Sequence, residues 1–144
     1  MSRKLESEVN TFMENTNIEL CNDVYKILKY RGNIMKYNNF FVLVKLSRNN
    51  PPFFGLNKVL IDTFINTSQS FFCIFLINAQ EGWFFPQKDV ISRVKLGKWK
   101  QYNDKNQYLV NSPLPSELSF STLAKYNILL ERYIKVPPSE SVAL

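Results

Sequence analysis

A chain of 144 residues, 45% hydrophobic and 15% aromatic, holds enough apolar material for one packed domain, which excludes intrinsic disorder. It contains no histidine, so histidine-based triads, histidine-ligated zinc and imidazole pH switches are excluded as well. The net charge of +6 is unevenly spread: residues 24–61 carry seven basic side chains and no acid, and residues 88–105 carry six against Asp89 and Asp104.

The apolar period predicts a first helix over 3–14, with Leu5, Val9, Phe12 and Met13 on one stripe and Ser2 as its cap. A second helix is expected over 18–30, capped by Asn17, with Leu20, Val24, Ile27 and Leu28 inward and Gly32 closing it. A short strand over 34–37 turns at Asn38-Asn39 into a nearly continuous apolar strand over 40–47, and Asn49-Asn50-Pro51-Pro52 breaks it. A third helix is expected over 56–65. The run 71–77 has no polar residue and reads as a central strand. A turn over 78–82 leads to a strand over 83–85 stopped by Pro86, then a helix over 87–95 ending near Gly97. A strand over 107–110, a loop over 112–115 and a last helix over 119–134 complete the chain.

This order predicts a single α/β domain over 1–135, with a mixed sheet of about five strands and helices on both faces. A flexible C-terminal tail is expected over 136–144. The unit 40–71, strand then helix then strand, is a candidate right-handed crossover between parallel strands.

Met1-Ser2-Arg3-Lys4 is followed by Leu5-Glu6-Ser7-Glu8 rather than an apolar stretch, so no signal peptide is expected. The longest apolar run falls far short of a membrane span. Cys21 and Cys73 lie far apart, form no CxxC and read as two buried reduced thiols. A cytoplasmic protein without membrane contact is expected.

The chain's four glycines form neither GxGxxG nor GxxxxGK, so a nucleotide-binding loop is not expected. Closely spaced acids for a calcium loop are missing, and no lysine is marked out to activate a serine. No cofactor, no metal and no catalytic residue is expected.

Between residues 40 and 89, a strand ending in Val44-Lys45, a helix, a very apolar strand and Gly82-Trp83-Phe84-Phe85 succeed one another. This order resembles the core of PD-(D/E)XK nucleases of the Holliday-junction-resolvase type. The resemblance implies a restriction-endonuclease-like sheet with Lys45 as the motif lysine. The motif acid two residues earlier is Leu43 here, and the preceding strand has no acid, so the site implied is degenerate.

Basic and aromatic residues alternate through Arg93, Lys95, Lys98, Trp99, Lys100, Tyr102, Lys105 and Tyr108. Cations meet phosphates and aromatic faces stack on bases in single-stranded nucleic-acid binding, whereas the structural alternative packs Trp99 and Tyr108 on the sheet. Arg31, Lys36, Lys45 and Arg48 are expected to extend the same basic face. The leading expectation is a non-catalytic nucleic-acid-binding protein on a degenerate nuclease-like scaffold. The competing ones are a protein-interaction or homodimer module using Phe53-Phe54, and a metal-dependent nuclease with a displaced site recruiting Glu19, Asp23 or Asp62.

Overall fold

The computed structural model of the protein describes residues 6–21, 34–101, 106–111 and 113–134. The elements run α1 (Ser7–Thr16), β1 (Glu19–Leu20), β2 (Met35–Tyr37), β3 (Phe40–Leu46), β4 (Phe53–Asn57), α2 (Lys58–Asn66) and β5 (Phe71–Asn78). They continue with β6 (Glu81–Pro86), α3 (Gln87–Lys95), β7 (Gln107–Asn111), a 3-10 turn at Ser116–Leu118, β8 (Ser119–Phe120) and α4 (Leu123–Tyr133).

Six strands form one mixed sheet in the order β1-β2-β3-β5-β6-β8, and β4 pairs with β7 in a second, small sheet. β3 and β5 are parallel, with Leu43 opposite Cys73 and Lys45 opposite Phe75, because the long connection through β4 and α2 lets the chain cross over. β5 and β6 are antiparallel, since only Ala79-Gln80 separates them. The Asn78 carboxamide oxygen accepts the Gln80 N–H at 3.0 Å and fixes that turn. Asn38, at φ 51°, makes the tight turn between β2 and β3.

Side chains alternate across a strand, and this alternation builds two cores on opposite faces of the sheet. Leu43, Phe71, Cys73, Phe75 and Phe85 pack with Leu60, Ile61 and Phe64 of α2, Val90 of α3, and the β4–β7 pair. Val42, Val44, Phe72, Ile74, Leu76 and Phe84 pack with Val9, Phe12 and Met13 of α1 and with Tyr126, Leu129 and Leu130 of α4. Helices therefore cover both faces. β5 is shared by both cores, which is why its first six residues contain no polar side chain and are wholly buried. Each phenylalanine so buried stabilises the fold by about 1.5–3 kcal/mol.

Several elements differ from the expectations. The predicted second helix is overturned at its start: Asn17 takes the left-handed conformation at φ 58°, α1 ends there, and Glu19 and Leu20 pair with Lys36 and Met35. The remainder of that helix lies outside the described residues from 22 onward, as do Ser2, Leu5 and the 136–144 tail. Residues 53–57, read as a turn running into a helix, are a strand: Phe54 and Leu56 point inward while Phe53 is exposed. The helix begins only at Lys58, where the Asn57 side chain accepts the Leu60 N–H at 2.9 Å. The last helix starts at Leu123 rather than 119, because Ser119 and Phe120 pair with Trp83 and Gly82 and Thr122 supplies the cap.

Candidate nucleic-acid interface

Pro86 ends β6 and occupies the N-cap of α3, where its missing N–H costs nothing. Val90 anchors the helix inward, with Ile91 and Val94 half-buried beside it. Lys88, Ser92 and Lys95 stand at i, i+4 and i+7 on the exposed side, so two lysines share one face about two turns, ~10.5 Å, apart. Gly97 closes the helix at φ 71°, a conformation that glycine adopts without strain. Its N–H donates to Val94 O, and the Lys98 and Trp99 N–H groups donate to Arg93 O.

Past this turn Trp99 dives into the core. It is 3% exposed, with its ring edge-on to Phe75 at 5.9 Å and tilted against Phe85 at 5.2 Å. Lys98 and Lys100 flank it and are thrown outward. The Lys100 carbonyl accepts the Leu109 N–H at 2.9 Å, tying the loop to β7. Residues 87–101 thus carry Lys88, Arg93, Lys95, Lys98 and Lys100 against a single acid, Asp89. None of these five is in an ion pair with a described residue. The Arg93 guanidinium lies 5.2 Å from the Phe85 ring centre and the Lys88 ammonium 5.5 Å from that of Tyr133.

Of the sequence-derived set, Lys95, Lys98 and Lys100 are exposed on α3 and the loop after it and Arg93 is half-buried over Phe85; Lys88, outside that set, is exposed at the start of the same helix. The structure corrects the role expected of Trp99, whose ring is enclosed by phenylalanines and has no face to offer a base. Tyr108 is likewise buried, and its hydroxyl donates to Asp62 at 2.6 Å. Arg48 belongs elsewhere. It binds Glu6 at 2.9 Å and Glu8 at 2.6 Å, clasping the β3–β4 connection to the start of α1, and these carboxylates raise its pKa further. Lys36 stands directly across from Glu19 on β1, so an acid neighbours its charge. Lys45 lies half-buried on β3, two residues beyond Leu43, which is fully inside the core. Arg31, Tyr102 and Lys105 lie outside the described residues.

Among the described residues no three of His, Cys, Asp and Glu are grouped to hold a metal ion. Asp62 is engaged by Lys58 at 2.6 Å and by Tyr108, Glu19 is exposed on β1, and Asp23 lies outside the described residues. Both cysteines are free: Cys73 is buried and Cys21 only half-buried, short of the full burial expected. Burial pushes the Cys73 thiol pKa up, against a smaller opposing pull from Lys45.

The sequence-derived set left out Lys88. Lys88 and Lys95 form an i, i+7 pair on a helix the sequence located correctly, and that spacing was the available signal. No known protein family matches the chain, and no curated protein matches its sequence. Among the described residues no helix is long and apolar enough to cross a membrane.

Proposed function

We propose that this is a non-catalytic nucleic-acid-binding protein whose contact face is α3 and the loop that follows it. One observation carries the reading: five cations within residues 87–101, opposed by one acid, stay without a carboxylate partner among the described residues, while Arg48 and Lys58 are neutralised. Cations without a carboxylate partner among the described residues, on a helix and the loop after it, are the chemistry that meets phosphates. The scaffold reading stays beside it. A strand carrying Lys45, a helix and a buried parallel strand support a nuclease-like ancestry, and Leu43 in place of the motif acid makes the function holding rather than cutting.

The test is equilibrium binding of a labelled single-stranded oligonucleotide over a salt series, with Lys98→Gln combined with Lys100→Gln as the perturbation. Salt-sensitive binding weakened by the pair supports the reading, and binding indifferent to salt or to the pair refutes it.

A second reading has its own observation. Phe53, 47% exposed on β4, and Val59, 51% exposed at the start of α2, are large apolar side chains left to solvent. Phe53 opens β4 and Val59 follows its other end, and these exposed apolar side chains support a homodimer or protein-partner contact. Sizing at rising concentration tests self-association, and a Phe53→Ser variant that leaves the elution volume unchanged at every concentration rejects it.

A further inference from the structure

The basic stripe of α3 does not end in open surface at its first turn. A groove of about 440 Å³ opens there between α3 and α4, lined by Phe40, Phe71, Lys88, Ile91, Arg132 and Tyr133. Its floor is apolar and its two charged side chains are both cationic. They come from different helices and meet at one ring: the Lys88 ammonium lies 5.5 Å and the Arg132 guanidinium 6.0 Å from the centre of Tyr133. Neither is in an ion pair with a described residue.

Both cations border the same groove, so a dianion seated in it would gain charge-assisted hydrogen bonds from the ammonium and the guanidinium. Pro86 and Gln87 complete the lining, so the first amides of α3, which have no side-chain cap, lie at the same place. The Gln87 side-chain oxygen accepts the Phe71 N–H at 3.2 Å. Asp89, the one acid in this turn, is not among the groove's lining residues.

We infer that this groove is a binding site for a phosphate monoester, and that on the nucleic-acid reading, on which this step rests, it seats the phosphorylated end of a strand lying along α3. A terminal phosphate carries close to two negative charges near neutral pH, against one for each internal phosphodiester. The site has two cations and a concave wall, which suits an end better than a continuing backbone.

The experiment compares matched oligonucleotides with a 5′-phosphate, a 3′-phosphate or hydroxyls at both ends, and adds inorganic phosphate alone. Readouts are affinity and the backbone amide resonances of residues 87–91 and 131–134. The expected result is tighter binding of one phosphorylated end, with those amides shifting. Lys88→Gln and Arg132→Gln should each reduce that preference roughly tenfold. Lys125→Gln removes the same charge elsewhere on α4 and should leave the preference intact. Equal affinity for phosphorylated and hydroxyl ends, or a preference unmoved by both variants, overturns the site. Inorganic phosphate shifting these amides in a protein that binds no oligonucleotide keeps the groove and rejects the nucleic-acid reading instead. An internal-phosphate contact, with Lys88→Gln weakening all three oligonucleotides alike, overturns the strand-end assignment.

Discussion

Replacing Lys98 and Lys100 with glutamine tests the proposed interface at its most accessible point. Four of the cations in residues 87–101 are exposed: Lys88, Lys95, Lys98 and Lys100; Arg93 is half-buried over Phe85. If each exposed lysine displaces one counterion from a single strand, log affinity falls with log salt at a slope of about −2.8. Raising salt about fourfold then weakens binding roughly fiftyfold. The double variant keeps two of the four, so its slope should be about −1.4 and the same change in salt should weaken binding only roughly sevenfold. Both side chains are outside the core, so thermal unfolding should move little. Fluorescence anisotropy with a labelled oligonucleotide at several salt concentrations gives both slopes. A wild-type slope near zero, or a variant slope equal to the wild-type one, would show that these lysines meet water rather than phosphate.

Three further outcomes are expected. Gly82→Ala should cost about 3 kcal/mol or more in urea unfolding, because an added Cβ would lie 2.0 Å from the Phe75 carbonyl oxygen and neither strand backbone can yield cheaply; an unchanged midpoint would contradict the β5–β6 register. Trp99→Phe should lower stability by about 1–3 kcal/mol in urea unfolding through the void it leaves among Phe75 and Phe85; an unchanged midpoint would contradict the burial of that ring. Burial, then the hydrogen bond to Asp62, raises the Tyr108 pKa, so the folded state retains that proton where the unfolded chain has lost it. Stability from this group is complete below the unfolded tyrosine pKa of about 10 and falls as pH climbs above it. Tyr108→Phe should be less stable at neutral pH and lose less on going to alkaline pH, which denaturation at paired pH values checks.

The four middle strands of the large sheet, β2, β3, β5 and β6, were legible because their signals are strong and local, whereas β1 and β8, two residues each, fell inside expected helices. The unbroken apolar run from Phe71 announces a strand covered on both sides, Asn78 marks the turn at its end, and Asn38-Asn39 marks the turn between β2 and β3. The β4–β7 pair was hidden because Asn49-Asn50-Pro51-Pro52 reads as a break and the residues after it as a turn running into a helix, although Phe53 to Asn57 alternates out and in. That pairing is a contact between residues some fifty positions apart, and no local pattern reports it. The cationic loop was found from composition, but which of its residues face out depends on the descent of Trp99. The burial of that ring follows from Phe75 and Phe85, on strands the sequence placed without showing what would lie against them. The partners of Arg48 were unreadable for a simpler reason, since Glu6 and Glu8 lie about forty residues upstream.

The indole of Trp99 works as a bolt beneath its two neighbouring lysines. Their ammonium groups ride on a mount fastened to the middle of the protein, so a polyanion meeting them finds its contacts already spaced and need not freeze a wandering tether. The same fastening makes the surface hostage to the interior: trimming Phe75 or Phe85 would slacken the grip on a charged partner while every positive charge stayed in the chain.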